Sequence, residues 1–281
     1  MKFAVFILLI MLAAAQAPAD LLARFRTVAG DIVVQLYEYE KPVTVGNFVR
    51  LVESSAYWHN FFHRCIPGFV LQGGGFYTID RTSTNLFTEP HLTPNYGPIT
   101  NEYSVGRHYS NVYGTIAMAK TTNSPDTATS QFFFNLANNS TNLDNQNGGF
   151  TVFGRVVSGF EILDFFNSLS AGYGIVNIGG EFQTLPVNYP GMYYPRYVDL
   201  FYVDISLLRS SSISSTGSTH TITWEGATGL TNHLEACTNL LSESWTAVLT
   251  TNAGWAPITA TVTNPPDSAM FYRIRVEVPP E

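Results

Sequence analysis

The chain has 281 residues, a formal net charge of −7, and 45% hydrophobic and 14% aromatic residues against only 12% charged ones. That apolar content supplies a real core and excludes global disorder. A net acidic chain without a basic stripe argues against nucleic acid as a partner.

Lys2 precedes an apolar run, Phe3 to Ala15, that ends in the small-x-small site Ala15-Gln16-Ala17. Residues 1–17 therefore read as a secretory signal peptide, with the mature chain starting near Pro18. The run is short for a membrane span of about 20 residues. A periplasmic or secreted protein is expected, with no membrane association after cleavage. Export permits disulfides, and the chain has two Cys. Cys65 and Cys237 can be read as a bridge or, more simply, as two buried free thiols.

Alternating runs on either side of Ala29-Gly30-Asp31 predict a β-hairpin over 22–37. Pro42, then Val45, Phe48, Leu51 and Val52, predict a helix of about a dozen residues. Short strands follow at 61–66, 69–72, 114–119, 131–136 and 150–156. A second helix is expected over Phe160–Leu169 and another strand over 198–205. Many antiparallel strands with two helices suggest a closed barrel capped at its ends. The Gly/Tyr/Pro-rich stretch 172–196 reads as an inserted loop.

Composition changes after Leu208. Residues 209–219 are Ser-rich and read as a linker between an 18–208 domain and a 220–281 β-module. That module carries Trp224, Trp245 and Trp255 on short alternating runs, a pattern of a small β-sandwich. The Trp residues read as core rather than as a sugar-binding face.

Chemistry concentrates in Phe62-His63-Arg64-Cys65-Ile66-Pro67-Gly68-Phe69-Val70-Leu71-Gln72-Gly73-Gly74-Gly75. Strand alternation across the Pro67-Gly68 bend can place Arg64 and Gln72 on one face, beside Phe69. Spacing alone fits a plain turn with a surface Arg at least as well. The segment resembles the signature of the cyclophilin family of peptidyl-prolyl cis-trans isomerases. Further blocks continue the resemblance in family order: Pro42 to Phe48, Gly114 to Ala119, Ser130 to Phe134, Asn142 to Asp144 and Phe150 to Val156.

The resemblance implies an eight-stranded antiparallel barrel with two capping helices, and catalysis of rotation about X-Pro bonds without a cofactor. It implies Arg64 as the catalytic donor and Gln72 as a holder of the substrate backbone. Phe69, Val70, Phe133, Leu143 and Phe150 match the walls of the proline pocket. Ala119, Lys120 and Gln131 match the peptide groove. The partners implied are proline-containing polypeptides, and a monomer is expected. Phe150 stands where well-known eukaryotic members have His, and Asn142 where they have Trp; the missing Trp implies weak cyclosporin binding. The alternative is a non-catalytic proline-peptide binder anchored through the C-terminal β-domain. Gly73 to Gly75 read as close backbone packing, since a phosphate-loop pattern is absent. His59 and His63 lack the Glu of a helical zinc motif, and no metal is expected. Asn138 and Asn139 both head Asn-x-Ser/Thr sequons.

Overall fold

The structure is a computed structural model that describes residues 21–121, 124–190, 193–208, 211–238, 244–254, 256–263 and 270–280. The expected signal peptide and Trp255 lie outside the described residues. Strands β1 (Leu21–Thr27) and β2 (Gly30–Leu36) pair as the expected hairpin. Helix α1 (Pro42–Glu53) starts on Pro42, whose missing N–H costs nothing at a first helical turn. It buries Val45, Phe48 and Leu51. Next come β3 (Arg64–Ile66), β4 (Val70–Gly73), β5 (Phe76–Tyr77), β6 (His91–Leu92), β7 (Thr115–Met118) and β8 (Phe132–Asn135). A one-turn helix α2 (Ser140–Leu143), β9 (Val152–Ser158) and α3 (Phe160–Ser168) follow. The stretch read as a loop carries β11 (Gly174–Val176) and β12 (Leu185–Pro186), which form a small sheet with β10 (Ser170–Ala171) just before it.

The main sheet has eight strands in the order β13-β1-β2-β9-β7-β8-β4-β3, where β13 is Asp204–Leu207. The closed barrel expected from the strand pattern is not formed: β3 and β13 are the edge strands of an open, curled sheet. Only the residues just before them approach, through a bridge between Phe61 and Tyr202 and the bonds Phe62 N to Phe201 O (3.0 Å) and Val203 N to Asn60 O (2.9 Å). The strand expected over 198–205 is shortened for a local reason. Asp199 takes the Arg196 backbone N–H and guanidinium into a tight turn. The concave face holds an aromatic core, with Phe25 against Phe48, Phe132 and Phe134, and α3 adding Phe166 against Phe62.

From residue 211 the Ser-rich stretch is strand and turn. It forms β14 (Ser211–Thr216), paired with β15 (Thr219–Trp224) across a two-residue turn at Gly217-Ser218. Gly217 has φ +62°, which such hairpin turns need and L side chains resist. Strands β16 (Thr231–Cys237), β17 (Thr246–Asn252), β18 (Ile258–Thr263) and β19 (Phe271–Val276) complete two three-stranded sheets, β14-β15-β18 and β17-β16-β19. Between them lie Ile222, Trp224, Leu234 and Ala260, so Trp224 is core, as expected. Trp245 sits instead under the Arg273 guanidinium, 4.3 Å from the ring. Cys65 and Cys237 are both buried and free.

This C-terminal unit packs directly on the convex face of the main sheet. Ala227 and Leu230 join Leu22, Val33 and Val157 in one apolar cluster. Arg24 Nη1 donates to Glu225 Oε2 at 2.7 Å, with 9% and 34% of the two side chains exposed. Thr228 Oγ1 donates to Asp31 Oδ2 at 2.8 Å. Removing one partner of a buried pair costs about 3–5 kcal/mol, and the partial exposure of Glu225 reduces this. Glu225→Gln is expected to lose ~2 kcal/mol, or a fall of about 5 °C in Tm. Arg24→Met added to Glu225→Gln should recover part of that loss in thermal melts. A Tm unchanged by Glu225→Gln would mean that the contact contributes nothing.

Candidate active site

Strand alternation sorts the residues of β3, β4, β7 and β8 onto two faces. Cys65, Leu71, Ile116, Phe132 and Phe134 enter the aromatic core. Val70, Ala117, Phe133 and, from β9, Val152 gather on the opposite face with Tyr37 and Leu143. Register does the rest. Arg64 lies opposite Gln72, Gln72 opposite Phe133, Phe133 opposite Ala117, and Ala117 opposite Val152. One row of side chains therefore crosses five strands, charged at one end and apolar at the other.

At the charged end, Arg64 Nη1 donates to Gln72 Oε1 at 3.2 Å, and Gln72 Nε2 donates to Gln131 Oε1 at 2.7 Å. The guanidinium lies 5.9 Å from the centre of the Phe69 ring. Burial pulls its pKa below the ordinary value, yet a guanidinium stays charged at neutral pH. Its partner is a neutral amide, so its charge is not cancelled, and among the described residues four of its N–H groups stay available beyond this bond. The Pro67-Gly68 turn that aligns β3 with β4 is held from α3, where Asn167 Oδ1 accepts the Gly68 N–H at 2.6 Å.

At the apolar end, Val70, Phe133 and Leu143 form a buried floor, and Phe69, Ala119 and Phe150 pack around it. Phe150 meets Phe133 edge to face, with centroids 5.8 Å apart. The expected site residues thus fall into one chain of polar contacts (Arg64, Gln72, Gln131) and one apolar cluster (Phe69, Val70, Ala119, Phe133, Leu143, Phe150). Lys120 is placed differently from a free groove residue. Its Nζ donates to Asn147 O (2.7 Å) and Gly149 O (2.6 Å) and lies 4.9 Å from the Phe150 ring. It staples the loop that carries Phe150.

Several residues that form this site carry no motif signal. Tyr37 belongs to the apolar cluster and stacks on Tyr109 at 3.9 Å. Below the pocket runs a network of buried amides. Asn111 Nδ2 donates to Asp144 Oδ1 (2.8 Å) and Phe150 O (3.0 Å), and Asn135 Nδ2 to Asn111 Oδ1 (3.1 Å). Asn139 Nδ2 donates to Phe69 O and to Asn135 Oδ1, both at 2.8 Å. The network ties the backbones of Phe69 and Phe150 to each other, and such fully bonded buried groups rigidify what they join. It also removes Asn139 as a glycosylation acceptor, because its amide is buried and engaged. The inserted stretch lies beside the site, since Cys65 N donates to Thr184 O at 2.8 Å and the outer edge of β3 is partly covered. His59 turns away to Ile79 O, 3.2 Å from its Nδ1. Asn142 is exposed on α2.

A family profile described as "Cyclophilin type peptidyl-prolyl cis-trans isomerase/CLD" matches residues 22–178. The chain is similar to a peptidyl-prolyl cis-trans isomerase of Acinetobacter baylyi, 38% identical over 167 residues that cover 59% of this chain and 82% of the relative. It is also similar to peptidyl-prolyl cis-trans isomerase A of Dickeya dadantii, 43% identical over 163 residues, 57% of this chain and 75% of that one. Among solved structures, it resembles a Cryptosporidium parvum cyclophilin type peptidyl-prolyl cis-trans isomerase in the presence of the dipeptide ala-pro. That match has a TM-score of 0.46 and 23% identity, and covers 67% of this chain and 99% of the other. With its profile match spanning the hairpin, both main helices and the whole Arg64–Val152 row, this chain belongs to the cyclophilin-type peptidyl-prolyl cis-trans isomerases.

Proposed function

We propose that the chain is an exported folding catalyst that speeds rotation about X-Pro bonds in proline-containing polypeptides, with Arg64 as its catalytic donor. The observation that carries the assignment of Arg64 is the register row, which lines up a guanidinium with the apolar cluster that holds Phe69, Phe133 and Phe150. Rotation of a peptide bond costs about 18–20 kcal/mol because its C–N bond has partial double-bond character. No bond breaks, so neither nucleophile nor proton transfer is needed. In the twisted transition state the nitrogen lone pair is localised and becomes an acceptor. A preorganised cation donating to it favours the twisted state over the planar one. The pocket of Phe133, Leu143 and Val70 holds the proline ring, and Gln72 together with Gln131 orients the flanking backbone.

The folding role is tested by refolding an exported protein whose slow phase is an X-Pro isomerisation, with and without the mature chain. A slow phase accelerated by catalytic amounts is expected, together with an N-terminus near Pro18 on the protein recovered from the exported fraction. A slow phase unaffected at equimolar enzyme would defeat the proposal. A second expectation follows from Asn142. An exposed Asn offers none of the apolar area that an indole would give a large cyclic peptide. Cyclosporin should therefore inhibit weakly, and Asn142→Trp should tighten inhibition by at least tenfold in the exchange assay. Tight inhibition of the unaltered chain would contradict this.

A further inference from the structure

The walls of the proposed proline pocket come from two sources. Val70 and Phe133 stand on β4 and β8, and the sheet ladder fixes them. Phe69, Leu143 and Phe150 lack that support. Phe69 lies in the turn between β3 and β4, Leu143 ends the one-turn helix α2, and Phe150 precedes β9. Such connecting segments are usually the mobile parts of a site. Here all three are gripped by the same buried amides. Asn139 Nδ2 donates to Phe69 O, and Asn111 Nδ2 donates to Phe150 O. Leu143 N donates to Asn139 O at 2.8 Å, and Phe150 N donates to Leu143 O at 3.0 Å.

The bonds of these amides run in one direction only. Asn111 and Asn135 are fully buried, and Asn139 is nearly so. Both hydrogens of each side-chain NH₂ are engaged. Asn111 gives them to Asp144 Oδ1 and Phe150 O, and Asn135 to Asn111 Oδ1 and Thr115 Oγ1. Asn139 gives them to Phe69 O and Asn135 Oδ1. A backbone carbonyl can only accept. Turning the Asn139 amide over would therefore set its oxygen against two others, and a buried acceptor without a donor is costly. Asn139 also forgoes a local role. It is the residue before α2, where Asn is favoured because its side chain can cap the helix. Among the described residues its side chain makes no cap bond, and Asn138 Oδ1 takes the Ser140 N–H instead. The Asn139 amide reaches back to Phe69.

We propose that Asn139 is a positioning residue for proline binding. With Asn135 and Asn111 it holds the loop-borne walls Phe69, Leu143 and Phe150 at a fixed spacing from the strand-borne walls before substrate arrives. The proposal rests on the reading of this cluster as the proline pocket. A preformed pocket receives planar and twisted proline alike, so the amides act on binding and not on rotation. They lie beneath the walls and act through them.

Asn139→Asp, Asn138→Asp and Phe133→Ala are compared with wild type in an X-Pro exchange assay on folded protein. Asn139→Asp keeps the size of the side chain and removes both donors. It should raise KM about tenfold, the size of one buried hydrogen bond, with kcat changed less than about twofold. Asn138→Asp puts the same charge on the exposed neighbour, keeps an acceptor for Ser140, and should leave both constants unchanged. An unchanged KM in Asn139→Asp overturns the proposal. So does a loss that falls on kcat as much as on KM, or one that Asn138→Asp reproduces. Phe133→Ala should raise KM as well. If it does not, the pocket reading fails and the positioning role with it. If Phe133→Ala raises KM while Asn139→Asp does not, only the positioning role fails. Should Asn139→Asp not fold, hydrogen exchange on the unaltered chain decides. Without peptide, the Asn139 side-chain NH₂ should exchange at least about tenfold more slowly than that of the exposed Asn142. Equal rates overturn the proposal, because the walls would then not be held in advance.

Discussion

Arg64→Ala is expected to lower kcat/KM for X-Pro exchange by about 10²–10³-fold, the usual cost of removing one preorganised donor from a transition state. Most of the loss should fall on kcat. The groups proposed to hold proline in its planar state, Phe133, Leu143 and Phe69, keep their positions in the apolar cluster, so KM should move only a few-fold. Phe133→Ala should behave the other way, raising KM more than it lowers kcat, because the ring serves planar and twisted proline alike. Arg64→Lys should recover little. An ammonium keeps the charge but cannot hold Gln72 with one nitrogen while aiming another at the substrate. The fold should tolerate these changes. Arg64 is half-buried at the edge strand of the sheet, and among the described residues its guanidinium hydrogen-bonds a neutral side chain alone. A protease-coupled or NMR exchange assay on folded protein reads the result. Equal activity of wild type and Arg64→Ala would remove Arg64 from the mechanism.

What could be read in the sequence was whatever is encoded within a few residues. Pro42 with Val45, Phe48 and Leu51 marks α1 because helix periodicity is local. The Gly30 hairpin is legible for the same reason. The site was legible to the extent that its parts lie on contiguous blocks: Arg64 and Gln72 are joined by one turn, and Phe132, Phe133 and Phe134 alternate between two faces. What escaped depends on pairs far apart in sequence. Whether β3 meets β13 is decided by residues some 140 positions apart, and periodicity carries no information about it. The docking of Ala227 and Leu230 onto Leu22 and Val33 looks, from sequence, like ordinary alternation in separate strands. The Ser-rich stretch misled because serine is common in linkers, while its strand is held by partners in β15 and by the turn at Gly217. The amides of Asn111, Asn135 and Asn139 look like polar loop residues until the fold buries them together.

Acidification should destabilise the chain earlier than carboxylate protonation alone would. Burial, with a smaller contribution from the neighbouring Arg64 charge, drives the His63 imidazole from 6.5 down to about 3, against a smaller opposing effect of the Gln131 side chain. The folded state therefore refuses a proton that the unfolded chain accepts below pH 6.5. Stability must fall as pH falls through that window, and the loss stops growing only below about 3. At pH 4.5 the difference is about 2–3 kcal/mol, and near pH 3 it approaches ~4 kcal/mol, against a typical total of about 5–15. Asp199 and Glu235 add a second, lower window. Burial alone would raise both carboxyls, but Arg196 for the first and Arg275 with Arg273 for the second outweigh it and lower them. Their contribution is lost only as pH falls through their depressed folded values. The alkaline side has its own limit. Burial pushes the Cys65 thiol from 9.0 up to about 12, so stability should also decline as pH rises through that interval. Denaturant midpoints of wild type and His63→Gln between pH 7 and pH 4 separate these terms. The wild-type curve should fall more steeply below pH 6.5, and His63→Gln should remove that excess slope while leaving the lower carboxylate step. Parallel curves for the two proteins would show that His63 does not set the acid limit.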